Sequence, residues 1–363
     1  MKIAVVPDSF KGSLAAAEVA AIVCEELQKA MPESRVIAVP VADGGEGTLD
    51  CFAAFFGGER ITVPVTGPNF QKVSASFLLK GDTAVIEMAQ AAGLPLAQPK
   101  SAGATTTFGV GELMAQAEKR GAKHFVIGIG GSATNDGGCG LAAALGAEFR
   151  DASGKVFVPT GDTLCNIDSI LFPQPRDITV LCDVKNSLYG ENGAAYVYAP
   201  QKGASKEDVE RLDAGLRHFA GILQSKYNKP VASLPGAGAA GGLGAGLVAF
   251  FGAKLRRGID TVLDYAAFDE TVRGADWIIT GEGALDDQSF CGKVIDGVMS
   301  RTGQVPVIAL VGISKLPVGD RHGLAAVFES NPRHLPFESV LPTAREDLHS
   351  AAAVCAGYIA LNS

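Results

Sequence analysis

The chain has 363 residues, of which 47% are hydrophobic and 19% charged, and its formal net charge is −8. This length sets an expectation of two domains, the composition excludes a disordered chain, and the acidic balance excludes a broad nucleic-acid surface. Seven cysteines lie scattered without a CxxC pair, which excludes a disulfide framework or zinc site and predicts reduced thiols in the cytoplasm.

The chain opens with a strand, Lys2 to Pro7, so Asp8 follows too soon for a secretory leader. A helix is expected over Ala15 to Lys29, a strand over Arg35 to Val41 and a helix over Thr48 to Phe56. Ile61 to Val65, Lys72 to Leu79 and Thr83 to Met88 alternate like strands of a mixed sheet; Phe125 to Ile129 and Ile178 to Val184 follow as further strands. Val231 to Ala253 carries no charge and imitates a membrane span. Its seven glycines and Pro235 instead predict a glycine-rich loop feeding a buried helix. The opening style returns at Trp277 to Thr280, Val294 to Ser300, Val305 to Gly312 and Ala325 to Phe328, and Arg345 to Leu361 reads as a closing helix. These patterns predict a flavodoxin-like (Rossmann-like) parallel-sheet lobe formed by 1–60 and 271–363, with a second mixed α/β lobe, 61–270, inserted into it and a ligand cleft between them. An internal echo pairs Gly140–Arg150 with Gly246–Arg256, each after a glycine-rich loop.

Six loops could carry chemistry. In the first, Asp8, Ser9, Lys11 and Ser13 gather after a strand, although Ser13 could simply cap the next helix. In the second, Asp43 and Glu46 sit among three glycines; such carboxylates suit magnesium, or merely an acidic helix start. The third, Gly128 to Gly138, places Gly131, Ser132, Asn135, Asp136 and Gly137 where backbone amides could cradle an anion. The fourth offers Asp183 as a general base or metal ligand, with Lys202 bringing a cation. The fifth has a literal GxGxxG at Gly236, Gly238 and Gly241, but no strand precedes it, as a dinucleotide fingerprint requires. The sixth supplies Gly281, Glu282, Asp286 and Lys293. No Walker A or protein-kinase signature is present, and none of the five histidines falls in these loops.

Taken together, Pro7-Asp-Ser-Phe-Lys11, Pro40-Val-Ala-Asp-Gly-Gly-Glu-Gly47, Gly128-Ile-Gly-Gly-Ser-Ala-Thr-Asn-Asp-Gly-Gly138, Gly193 with Pro200-Gln-Lys-Gly203, Leu234-Pro-Gly-Ala-Gly-Ala-Ala-Gly-Gly242 and Ile279-Thr-Gly-Glu-Gly283 closely resemble the type I glycerate kinases of bacteria, end to end. Phe10 stands where Tyr is common there, and Gly12 where an acidic residue occurs. The resemblance implies two α/β lobes, one inserted into the other, and ATP-dependent phosphorylation of D-glycerate to 2-phosphoglycerate, with 3-phosphoglycerate as the other product in use for the family.

On this reading Asp183, Asp43 and Lys11 are catalytic, and Asp8, Ser9, Lys11, Asp43, Ser132, Asn135 and Asp136 bind substrate. Gly131, Gly137, Lys202, Gly236, Gly238, Gly241, Gly281 and Lys293 hold the nucleotide phosphates, and Glu282 and Asp286 hold magnesium. The expected partners are glycerate and ATP, with no nucleic acid or membrane, and a homodimer is among the assemblies open to the chain. Two other classes share these features: a two-lobed solute-binding protein, and a nicotinamide-dependent enzyme acting on a small hydroxy acid.

Overall fold

Three apolar runs, Lys2–Pro7, Trp277–Gly281 and Val307–Val311, are buried almost throughout, because a parallel strand with helices on both faces has no solvent side. Arg35–Ala38 and Ala326–Glu329 flank them and are partly exposed, as edge strands are. All neighbours pair in parallel, and in chain order the five strands run 2-1-3-4-5, the flavodoxin arrangement. The strand expected to reach Val41 ends at Ala38. Beyond it the chain keeps only isolated bonds, Val39 N–H to Val5 O at 2.8 Å and Val41 N–H to Pro7 O at 3.0 Å.

The structure is a computed structural model and describes residues 1–363 apart from Glu46 and Val318; the acidic Glu46 noted above lies outside the described residues. The chain divides into two units. The first comprises Met1–Asp43, Asp50–Gly57 and Ile259–Ser363, and the second Gly44–Leu49 and Gly58–Gly258. In the first, helices Ala16–Ala30 and Ala344–Leu361 pack together over a core that includes Ile3, Val5, Leu27, Ile308 and Ile359. Glu18 caps the earlier helix by accepting from Ala15 N–H at 3.0 Å.

The second unit is built on a six-stranded mixed sheet. Lys254–Arg256, Asp177–Leu181, His124–Gly128 and Thr83–Glu87 run parallel, and Lys72–Lys80 and Glu59–Thr66 continue it as an antiparallel meander. A long helix, Lys206–Tyr227, starts in a reciprocal cap between Ser205 and Asp208 and ends at Asn228 with φ of 52°. The uncharged stretch proves to be a loop that feeds the buried helix Ala239–Phe251, whose first turn is broken at Ala240, Gly241 and Gly242. No helix among the described residues is long and apolar enough to cross a membrane.

The two echoing segments share a local form. Each is the end of a helix, a left-handed glycine (Gly146 at φ 97°, Gly252 at φ 75°) and a short strand. Glu148–Arg150 joins a three-stranded antiparallel sheet, whereas Lys254–Arg256 lies parallel to Asp177–Leu181 on the main sheet. The likeness is therefore one of helix termination, not of position in the fold.

Candidate functional site

In the first unit, the C-terminal ends of the parallel strands open into a cavity of about 390 Å³. Its polar lining includes Asp8, Lys11, Glu282, Asp286, Lys293 and Asp347. Asp8 follows the first strand and is held by its own turn, accepting from Ser9 N–H at 2.7 Å. It is 4% exposed, and burial foremost, with Asp43 adding repulsion, pushes its pKa up to about 7. Lys11 Nζ lies 3.3 Å from Asp43 Oδ2, so this cation and carboxylate are already paired.

Past the sheet, Ala284–Leu285 and Ile313–Ser314 run side by side, tied by Gly312 N–H to Glu282 O at 3.1 Å and Ile313 N–H to Gly283 O at 3.1 Å. Only glycine fits two of these positions. A Cβ on Gly281 would lie 1.8 Å from Leu310 O, and one on Gly312 would lie 2.2 Å from Gly283 O. Glycine at Gly281 is thus required by the neighbouring strand, whatever the loop binds.

Glu282 is 8% exposed, and among the described residues its Oε1 has no hydrogen-bond partner. Burial raises its pKa, against the pull of Ser289, Lys293 and Lys11. A buried carboxylate oxygen left unmet is costly unless a cation or donor meets it, and its place in the lining fits a divalent ion. Asp286 accepts from Gln288 N–H at 3.0 Å, and Lys293 stands at the start of helix Val294–Arg301.

The second unit turns its polar groups inward. Asp136 is fully buried and accepts from Thr107 N–H and Thr107 Oγ1, both at 2.8 Å, from Gly138 N–H at 3.0 Å and from Gly140 N–H at 3.2 Å. Burial still raises its pKa against these four donors. Placed among the substrate-binding groups by sequence, it holds the Gly128–Gly138 loop to the start of helix Phe108–Glu118 instead of facing outward. Lys202, expected on a phosphate, is 2% exposed and donates to Ser132 Oγ and Thr134 O, both at 2.7 Å. Burial draws its pKa down to about 7, with Asp136 opposing. Ser132 is 8% exposed. Asn135 is fully buried, and among the described residues neither of its amide atoms has a hydrogen-bond partner, an arrangement that asks for a water or a ligand.

The glycines of the fifth loop are explained by packing. A Cβ on Gly236 would lie 2.8 Å from Cys182 Sγ, one on Gly238 would lie 2.1 Å from Ser187 O, and one on Gly241 would lie 1.9 Å from Thr134 O. Ala240, Gly241 and Gly242 are all left-handed, and Gly137 N–H donates to Gly241 O at 3.0 Å. The two glycine-rich loops are therefore pressed against each other. Gly131 and Gly137 take φ of 72° and 62°. Asp183, two residues beyond its strand, accepts from Gly258 N–H at 2.8 Å.

Sequence reasoning passed over three groups. Thr107 carries much of Asp136's support, and its signal was the run Thr105-Thr106-Thr107 just before a helix. Glu87 ends a strand, is 3% exposed and accepts from Leu49 N–H at 3.4 Å; a lone charge in an apolar run could have marked it. Phe337 lines the first unit's cavity from a segment with no motif.

Comparison with known proteins agrees with this architecture. Residues 3–360 match the model of the Glycerate kinase family. The chain is 44% identical over 342 residues to a glycerate 2-kinase of Escherichia coli (strain K12), covering 90% of each chain. It is 41% identical to a glycerate kinase of Bacillus cereus, over 97% of this chain and 96% of that one. A solved structure of a candidate glycerate kinase 2 from Salmonella typhimurium LT2 superposes with a TM-score of 0.85 at 39% identity, covering 100% of this chain and 99% of the other. The chain is an α/β phosphotransferase acting on an alcohol group. It belongs to the glycerate kinase family, as the sequence resemblance implied.

Proposed function

We propose that the chain transfers the γ-phosphoryl group of ATP to the 2-hydroxyl of D-glycerate, giving 2-phosphoglycerate and ADP. The observation that carries this reading is the buried, unmet Glu282 oxygen beside Lys11, Lys293 and Asp286 at the C-terminal end of a parallel sheet. Phosphoryl transfer needs charge neutralisation and alignment more than covalent help, and this cavity offers cations and carboxylates together. The name of the E. coli relative supports the 2-position.

In this reading Glu282 and Asp286 hold magnesium, which when bound offsets phosphate charge. Lys11 and Lys293 meet anionic oxygens, and Gly281, proposed to help hold the phosphates, lets the strand end lie against Leu310 O. Asp8 and Ser9 receive the glycerate carboxylate; an Asp8 carboxyl still partly protonated near neutral pH can donate where an ionised one would repel. The substrate hydroxyl oxygen forms the new P–O bond while the bond from the γ-phosphorus to the bridging oxygen breaks. The hydroxyl proton passes to Asp183, with Asp43 as the second candidate. Ser132 and Asn135 contribute hydroxyl-reading groups. Asp136 and Lys202 act behind them as positioning residues, and Gly131, Gly137, Gly236, Gly238 and Gly241 shape the loops. Seven free thiols support a reducing, cytoplasmic setting.

The test is a coupled ADP-release assay with ATP, magnesium and D-glycerate, with phosphorus NMR on the product. ADP that appears only with glycerate, together with a 2-phosphate, is the expected result, and chelating the metal is expected to stop it. A 3-phosphate would keep the kinase and re-pose glycerate; binding without turnover would overturn the reading.

A further inference from the structure

The cavity in the first unit has a second character that the charged groups do not explain. Besides Asp8, Lys11, Glu282, Asp286 and Lys293, its lining includes Phe10, Ile313, Leu335, Phe337 and Val340. The charged groups line the same cavity, and Lys11 pairs with Asp43 at 3.3 Å. Leu335, Phe337 and Val340 come from one short segment that supplies no charge of its own to the lining. Leu335 is 37% exposed and Phe337 49%, so two large apolar side chains face solvent at the rim of a cavity, which marks a ligand surface.

The segment is held in place. The Asn331 side chain donates to Leu335 O at 2.9 Å and accepts from Leu335 N–H at 3.0 Å. The ring of Phe337 rests over Gly12, where an added Cβ would come within 3.1 Å of Cζ. Gly12 also has φ of 81°, so a side chain there is disfavoured twice over.

A three-carbon hydroxy acid has no flat apolar face to lay on this wall, and a bare phosphate chain has none at all. Of the two reactants of an ATP-dependent kinase, only the nucleotide combines a flat aromatic part with an anionic tail. We propose that the wall of Leu335, Phe337 and Val340 takes the adenine ring of the nucleotide, with its phosphates toward Lys11 and Lys293, so that the first unit is the nucleotide-binding unit. This rests on the ATP-dependent reading above.

The experiment is calorimetric titration of the full chain with ADP and with inorganic tripolyphosphate, which carries the charge without a base, alongside the ADP-release assay. Phe337→Ala is expected to weaken ADP about tenfold, in line with loss of one aromatic stacking partner, and to leave tripolyphosphate affinity as it was. Leu335→Ala is expected to act in the same direction by less. Both residues are partly exposed, so the variants should fold, as circular dichroism will show. Unchanged ADP affinity in both variants, with wild-type turnover intact, would place the base elsewhere and leave the kinase reading standing. A wild-type chain that neither binds ADP nor turns over would overturn both.

Discussion

The two units use glycine-rich loops in opposite ways. In the first, the turn glycines bring chain segments together so that Asp8, Glu282, Asp286 and Lys293 face a cavity. In the second, equally glycine-rich turns press two loops against each other and fold Asp136, Lys202 and Asn135 inside. A glycine-rich loop is thus a device for close approach, and what it approaches is decided elsewhere in the fold.

Removing reactive groups gives the largest expected effects. Lys11→Ala in the first unit and Asp183→Asn in the second should each lower turnover by about 100-fold or more while the circular dichroism spectrum stays native. Near-normal turnover in either variant would remove that residue from the proposed machinery, and if only one matters the chemistry belongs to that unit alone.

Glycine replacements sharpen the contrast at the level of stability. Gly241→Ala meets Thr134 O and needs a left-handed alanine, so it should cost about 2–4 kcal/mol in urea unfolding. Gly283→Ala has no neighbour closer than 3.6 Å and should stay within about 0.5 kcal/mol of wild type. Equal costs would mean that the close approach of Thr134 O does not set the cost at Gly241.

The last contrast is a slope. Lys202 titrates at about 7 in the folded chain against 10.5 when unperturbed. Above pH 7 the unfolded chain therefore holds the extra proton, and the stability of the native state should rise with pH from about 7 toward 10.5. Lys202→Met removes that contribution, so the wild-type advantage in Tm should be greater at pH 9.5 than at pH 6.5. A difference independent of pH would show that Lys202 stays charged in the interior.

Much of this was legible in the sequence because buried parallel strands read as unbroken apolar runs, as in Trp277–Gly281 and Val307–Val311. The over-long second strand has a simple cause: Val39 and Val41 are buried without forming a ladder, and periodicity registers burial, not pairing. Helix Lys206–Tyr227 went unread although Ser205 and Asp208 announce its start. The loops were found, but not which way their side chains point. Lys202 in sequence resembles any exposed loop lysine; its burial follows from contacts with Ser132 and Thr134, some seventy residues away, which no local pattern carries. Phe337 was invisible for the same reason.

The pairing of the first strand has a consequence for how the chain is made. Lys2–Pro7 finds its central neighbour in Trp277–Gly281, and Thr280 Oγ1 bonds Val6 O across 274 positions. A ribosome working from the N-terminus must therefore deliver all of Gly58–Gly258 before that pairing can form. The inserted unit can complete its own sheet while the opening strand has only Arg35–Ala38 beside it. Maturation of the first unit is thus a late, long-range event, and the interval before Trp277 emerges is when an apolar strand edge is most open to the wrong partner.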